Sequence, residues 1–437
     1  MEAFMKQLHW FSLVGLLVAP ALWGMTLDEA VQHALTYEPQ LKINDLQVGR
    51  AEAELQQAQH RYGLNVSVEG QLGVGQINNP PTYSPLFSID ERFRNTRSLM
   101  LKFDYPLYTA GRERIGIEMA HMQVAAQSQA FANQQSATVL QTVQAYTDVL
   151  RQQAVLKLKN KVQANLQQSL SDAQKRLNAG VITRADLAQI QAQLAQSQAD
   201  SVRAESQLSI SQTRFYQLTG LTAQVLDTPQ DLPAIPGNVD DVIYAIEQHP
   251  SLQQARFEQQ VAEKQYRLSK LELRPSIGLT GRVGTQHEIK DGESKGYLVG
   301  LKVDVPIYDN GLNKANRQKA NVELELATQK INALQQALTQ QAQATYFQIQ
   351  AVRQNKRALE QAINAASIAL QFMKREQEFG TKTTTDVLNA EQSLLDVQTQ
   401  KISNQQDEVV LTYQLLDQMG RLSALFPINT HDSALKP

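Results

Sequence analysis

The second half of this 437-residue chain repeats the first. Leu101-Lys102-Phe103-Asp104-Tyr105-Pro106-Leu107-Tyr108 returns 200 residues later as Leu301-Lys302-Val303-Asp304-Val305-Pro306-Ile307-Tyr308. Gly111 and Gly311, Gly180 and Gly380, Asp186 and Asp386, and Gly220 and Gly420 keep that offset. Nearer the start of each copy the offset is 211, because Glu38-Pro39-Gln40-Leu41 answers to His249-Pro250-Ser251-Leu252. The difference puts an insertion of about a dozen residues in the first copy, near Ile77 to Phe93, where Pro80, Pro81 and Pro85 mark a long loop tip. Self-similarity of this kind signals a repeated architecture.

Each copy holds two alternating segments. Leu64, Val66, Val68, Leu72 and Val74 interleave with Asn65, Ser67, Glu69 and Gln71; Leu99, Leu101, Phe103 and Tyr105 interleave with Ser98, Lys102 and Asp104. In the second copy Ile277, Leu279 and Val283 alternate with Ser276, Thr280 and Arg282, and Tyr297 to Val305 alternate with Lys302 and Asp304. Period two over roughly ten residues suits a tilted membrane strand. It suits equally a soluble antiparallel sheet with one wet face.

Each copy also holds two very long helices. No proline falls between Pro106 and Pro229 or between Pro306 and Pro427, and Gly180 and Gly380 are the lone breaks at matched positions. A helix over 112–178 is on the order of 100 Å long at 1.5 Å per residue, which calls for a coiled coil rather than one globular core. Leu187, Leu194, Ser201, Leu208 and Phe215 stand seven apart, as do Leu388, Leu395, Ile402, Val409 and Leu416, and as do Leu324, Ile331, Leu338, Thr345, Val352, Leu359, Ala366 and Met373. Such spacing implies left-handed supercoiling.

The expected layout is a signal peptide at 1–24 and a first repeat at 25–226, with a helix, a β-hairpin over 64–105 and helices over 112–178 and 182–220. A proline-rich linker at 227–240 leads to a second repeat at 241–425, with a helix, a hairpin over 276–305 and helices over 312–378 and 382–420, and then a tail at 426–437. Lys6, an apolar stretch over Phe11 to Val18 and small residues before Ala21 or Gly24 read as a cleaved export signal. Thr26 is placed to cap the first helix.

Lys and Arg number 41 against 43 Asp and Glu, so the basic excess that a nucleic-acid binder uses to displace counterions is missing. There is no cysteine, which removes disulfides, thiolate metal sites, thiol nucleophiles and an N-terminal lipidated cysteine. The seven histidines are scattered without metal-ligand spacing, and Gly70, Gly73 and Gly75 make no dinucleotide fingerprint. No catalytic set, metal site or cofactor site is expected.

Four strands cannot stand alone in lipid, where each unpaired backbone group costs several kcal/mol. A membrane barrel would have to close by sharing strands between chains. Two copies give eight strands, a bore that side chains nearly fill; three give twelve and leave it open. Tyr105, Tyr108 and Tyr308 sit where an aromatic girdle belongs.

The doubled layout, Phe103-Asp104-Tyr105-Pro106-Leu107-Tyr108 with Gly111, and the two turns Asn178-Ala179-Gly180-Val181-Ile182-Thr183-Arg184-Ala185-Asp186-Leu187 and Phe379-Gly380-Thr381-Lys382-Thr383-Thr384-Thr385-Asp386-Val387-Leu388-Asn389-Ala390 together resemble the outer-membrane efflux protein (TolC) family. The resemblance covers the whole mature chain. It implies an α+β membrane protein with four transmembrane strands per chain, a homotrimeric twelve-stranded barrel in outer-membrane lipid, and an α-helical coiled-coil barrel through the periplasm. It implies an export duct docked by a periplasmic adaptor (membrane fusion) protein to an inner-membrane ABC or proton-driven transporter. The lipidated branch starts its mature chain with Cys, so this chain resembles the non-lipidated branch, which includes type I protein secretion as well as multidrug efflux. The reading from another class is a soluble periplasmic coiled-coil scaffold or adaptor.

The resemblance also assigns residues. Asp186 and Asp386, six residues after each break, would form a ring of six carboxylates at a constricted entrance, with Arg184 beside them. Crowded like charges raise their own pKa values and attract cations. Asn389 stands where the family pattern often has a second acid, which lowers the ring charge. Lys382, four residues before Asp386, is a candidate latch. The plainer reading is that both aspartates simply favour the first turn of a helix. Gly180, Val181, Ile182 and Thr183, with Gly380 and Thr381, would be adaptor-facing tips, or merely helix-turn chemistry. Lys102, Asp104, Lys302 and Asp304 would line the barrel bore, or pair locally across strands.

Overall fold

A computed structural model describes residues 24–76, 93–223, 225–288 and 292–427. The expected export signal, the inserted loop after Gln76 and most of the C-terminal tail lie outside them. In chain order the elements are α1 (Leu27–Tyr37), α2 (Pro39–His60), β1 (Asn65–Gln76), β2 (Phe93–Tyr108), α3 (Arg112–Asn178) and α4 (Arg184–Thr219). Then come α5 (Val239–Ala245), a 3-10 turn (Ile246–Gln248), α6 (Pro250–Ser269), β3 (Ser276–Glu288), β4 (Gly292–Asp304), α7 (Leu312–Glu378), α8 (Thr384–Gln418) and α9 (Leu422–Leu425).

The chain forms two compact units, and neither coincides with a repeat. One takes the described residues up to Thr36 with Thr142–Leu232 and Leu359–Val409; the other takes Tyr37–Gln141, Pro233–Ala358 and Val410 onward. Each unit draws on both copies, so the repeats are not the folding units.

The second unit contains a four-stranded antiparallel sheet in the order β1-β2-β3-β4. Its register decides the chemistry of its surfaces. Ser67, Lys102, Arg282 and Leu298 are directly opposed across the four strands, as are Val68, Leu101, Val283 and Tyr297 on the other parity. Directly opposed residues share a face. One face therefore carries Ser67, Glu69, Lys102, Asp104, Thr280, Arg282, Lys302 and Asp304, and the other carries Val66, Val68, Leu99, Leu101, Leu279, Val283, Val299, Leu301 and Val303. The apolar face is bare: Leu72 is 82% and Tyr297 85% exposed. β2 runs to Tyr108, past the expected 105, with an irregularity between Pro106 and Tyr108 where proline cannot donate to the ladder.

This unit also packs Val242, Ala245, Ile246 and Leu252 against Ile331, Leu338, Ala342, Tyr346 and Ile349 of α7, Leu415 of α8 and Met419 just after it. Tyr346 donates its hydroxyl to Gly237 O at 2.8 Å, which satisfies the one polar group that burial of this ring would otherwise strand. Asn238 caps α5 through Asp240 N, so the linker ends at 238, short of the expected 240. Phe426, the first residue of the expected tail, is buried, and its carbonyl accepts from Gln135 Nε2.

In the first unit Thr26 caps α1 in a reciprocal box with Glu29. The chain at Met25 pairs in parallel with Leu226. Beneath this bridge Tyr146 is fully buried, edge-on to Phe215 at 6.2 Å between ring centroids. The seven-residue seams are real packing seams. Leu194, Ser201 and Phe215 on α4, Leu395, Val409 and Leu416 on α8, and Ile331, Leu338 and Thr345 on α7 are buried, and the other members of each series are at least half-buried. Among the described residues no helix is long and apolar enough to cross a membrane.

Candidate functional site

Two regions collect the residues that the sequence singled out. The first is the pair of helical turns. α3 ends at a left-handed Gly180 (φ 72°), with Val181 N donating to Arg176 O at 2.9 Å; α7 ends at Gly380 (φ 76°), with Thr381 N donating to Glu376 O at 2.9 Å. A side chain at either glycine would be strained by that φ, and the turn closes the orphan carbonyls of the helix end. Thr183 then caps α4: Asp186 N donates to Thr183 Oγ1 at 3.2 Å, while Asp186 Oδ2 accepts from Thr183 N at 3.0 Å and from its hydroxyl at 2.7 Å. Thr383 and Asp386 repeat the arrangement at 3.2, 2.9 and 2.8 Å in the same order. These caps set the helix starts at 184 and 384, two residues later than the expected 182 and 382.

The electrostatics follow from the caps. The Thr183 hydroxyl and backbone N–H hold the Asp186 carboxyl below the ordinary aspartate range, and the backbone N–H and hydroxyl of Thr383 do the same for Asp386. Within one chain this is opposite to the rise that six crowded carboxylates would produce. Lys382 adds only the weakest contribution at Asp386. It precedes the cap, outside α8, so the four-residue spacing does not place it on a helical face with Asp386, and no ion pair forms between them. Arg184 is exposed at the first position of α4 and Asn389 is exposed on α8. Gly180, Val181, Thr183, Gly380 and Thr381 are exposed, and Ile182 is half-buried. Thr385 Oγ1 donates to Gln189 Oε1 at 3.0 Å, joining the first turn of α8 to α4, so the two caps are neighbours.

The second region is the polar face of the sheet. Lys102 pairs with Glu69 across the β1–β2 ladder, which is the local alternative for that lysine. Asp104, Lys302 and Asp304 face a concavity of about 470 Å³ where the strands meet the helices, together with Arg61 after α2, Tyr62, and Arg112 at the start of α3. Arg112 is steadied by its Nε donating to Thr109 O at 3.0 Å. Sequence reasoning missed Arg61 and Arg112. Neither lies in a strand pattern, and the second copy has Leu312 where the first has Arg112, so the repeat hides it.

The geometry offers charged walls and capped turns, with no nucleophile–base constellation among the described residues. The family described as outer membrane efflux protein matches this chain at residues 30–221 and again at 244–422, once per copy. The chain is 27% identical to outer membrane efflux protein BepC of Brucella suis biovar 1, over 76% of this chain and 74% of that one. It is 24% identical to outer membrane protein TolC of Vibrio cholerae serotype O1, over 93% of each. The crystal structure of the outer membrane protein VceC from Vibrio cholerae superposes with a TM-score of 0.78 at 18% identity, over 90% of this chain and 96% of that one.

Proposed function

This chain belongs to the outer membrane efflux protein family, and from that premise we propose that it is the outer-membrane channel of a tripartite export system, a passive conduit for multidrug efflux, type I protein secretion or both. It resides in the outer membrane with its helical part in the periplasm. The observation that carries the reading is the two-faced sheet with open edges. An uncovered apolar face costs on the order of 25 cal/mol per Å² in water, and lipid removes that cost. The soluble scaffold leaves it bare and is not favoured.

β1 and β4 are edges of the sheet. Three copies joined β4 to β1 close twelve strands, with the polar face turned to a water-filled bore that Lys102, Asp104, Lys302 and Asp304 line. The pump and adaptor supply the energy and the seal; the turns at Gly180 to Thr183 and at Gly380 and Thr381 are the adaptor-facing tips. Asp186 and Asp386 on adjacent helices supply the acidic ring at the entrance, and Arg184, Lys382 and Asn389 temper its charge.

The test is reconstitution. Purified protein is expected to weigh three chains in detergent and to give small, infrequent openings in planar bilayers. A solitary subunit, or bilayers that stay silent, would overturn the channel. Asp186→Asn with Asp386→Asn keeps an acceptor for each cap and is expected to weaken block by hexamminecobalt; unchanged block removes these residues from the entrance.

A further inference from the structure

Glu38 and His249 hold matched positions, each just before the proline that opens a helix. The two copies use that position differently. Glu38 precedes α2 without a side-chain cap, whereas the His249 ring caps α6, its Nδ1 accepting from Ser251 N at 3.1 Å. A ring nitrogen that accepts carries no proton, which leaves the proton of the neutral imidazole on Nε2. His249 is only 5% exposed.

The capped turn is a junction of helices. Ser251, whose N–H the ring receives, donates its hydroxyl to Asn133 Oδ1 on α3 at 2.7 Å. Leu252, the next residue, is buried in the core that α7 lines. Gly420, left-handed (φ 68°) just past α8, lies so close that an added Cβ would come within 2.8 Å of His249 Cα. From this junction α6 runs to Ser269, shortly before β3. The cap therefore fixes the start of the helix that leads into the sheet.

The elements packed here bring few charges to the ring. α3 has no acidic or basic residue between His121 and Asp148, and α7 has none between Lys330 and Arg353. Glu247 is engaged by Arg256 and by Gln335 Nε2 at 2.7 Å. Asp240 and Asp241 are exposed at the start of α5, and Arg421 is exposed after Gly420. Asp417, in the last turn of α8, has its own carboxyl pushed up to about 6 by burial. Burial likewise holds the imidazole below the ordinary histidine value of 6.5. A proton added at Nδ1 would turn the acceptor into a donor aimed at the Ser251 N–H, and would bury a charge.

We propose that His249 is a proton-operated pin: neutral, it caps α6 and holds Ser251 on Asn133 of α3; protonated, it releases that junction. The sign follows from linkage. A folded value below the unfolded 6.5 makes the cap's contribution full above 6.5 and lost as pH falls through the folded value. The pin is independent of the export reading, which stands whether or not the pin does.

The experiment uses the full chain in detergent. Amide exchange in the peptide carrying Ser251 to Gln253 is followed by mass spectrometry, each rate divided by the intrinsic chemical rate at that pH. Protection is expected to fall about fivefold between about pH 7.5 and about pH 5, the loss of one helix cap, with a midpoint below 6.5. The start of α2, which has no side-chain cap, is expected to show no such fall. His249→Asn supplies an acceptor that does not titrate and is expected to flatten the profile; Asp417→Asn is expected to leave the fall in place. A flat wild-type profile, an equal fall at the start of α2, an equal fall in His249→Asn, or a fall that vanishes in Asp417→Asn would each overturn the pin. Should His249→Asn fail to fold, a wild-type midpoint at or above 6.5 still refutes it.

Discussion

Phe103 lies with its ring over the backbone of Gly281, its directly opposed partner on the next strand. A Cβ built on Gly281 would sit 2.1 Å from the ring. The pair is on the apolar face, where the aromatic covers backbone that the glycine leaves bare, a device that pins register between β2 and β3. Those are the strands through which the two copies of the repeat meet. Gly281→Val is therefore expected to lower the yield of assembled protein sharply, and Phe103→Ala in the same chain to recover part of it. Resistance of the oligomer to dissociation in sodium dodecyl sulfate reads both; a valine variant that assembles as well as the wild type refutes the close approach.

The helix caps make a second prediction. Thr183→Ala removes the one hydroxyl that both accepts from Asp186 N and donates to the Asp186 carboxylate, at a cost of about 1 kcal/mol. Amide exchange at Asp186 should accelerate while residues in mid-helix are unaffected. Because the folded carboxyl is held low, the cap is fully present above the ordinary aspartate pKa and is lost as pH falls through the lower folded value. Thr383→Ala should act in the same direction at Asp386.

Asp417 predicts the opposite pH dependence. Burial near the end of α8, beside Leu415, Leu416 and Met419, pushes its carboxyl up to about 6 from 3.8. A folded pKa above the unfolded one means that the folded state holds the proton more tightly. Its contribution is full below the unfolded value and is lost as pH rises to about 6. Asp417→Asn should flatten that slope, with a gain over the wild type of up to about 3 kcal/mol at pH 7 that vanishes near pH 4. Thermal unfolding across pH measures it, and parallel curves for the two proteins would refute it.

Tyr146 ties the beginning of the chain to the linker. Its hydroxyl reaches Met25 O at 2.7 Å and Asp227 O at 2.6 Å, and burial among acidic neighbours keeps the phenol protonated as a donor. Tyr146→Phe keeps the packing on Phe215 and removes the donor, at about 1 kcal/mol. Exchange at the amides of Met25 and Asp227, which hold the parallel bridge, is the readout. Unchanged rates would show that the bridge stands without it.

Much of this was legible in the residues. Uninterrupted stretches without proline, broken only at Gly180 and Gly380, set two long helical pairs, because nothing else in the chain ends a helix there. Seven-residue spacing marked Ile331, Leu338, Leu395 and Phe215 as packing positions, since only a supercoil keeps such a row on one side. Alternation in Val66 to Leu72 and Tyr297 to Val303 announced two-faced strands. The role of Asp186 was less legible: a cap and an entrance charge use the same residue at the same position, and only hydrogen-bond geometry separates what the carboxylate does within its own chain.

The sequence by itself determined the doubled plan, the element types and the alternation of polar and apolar positions, since these follow from local periodicity and from glycine and proline alone. The tertiary structure decided which rows align. The pairing of β2 with β3 brings Lys102 opposite Arg282 and Phe103 opposite Gly281, residues about 180 positions apart whose meeting no local rule encodes. The compact units likewise cross the repeat boundary, because α3, α7 and α8 each run from one unit into the other.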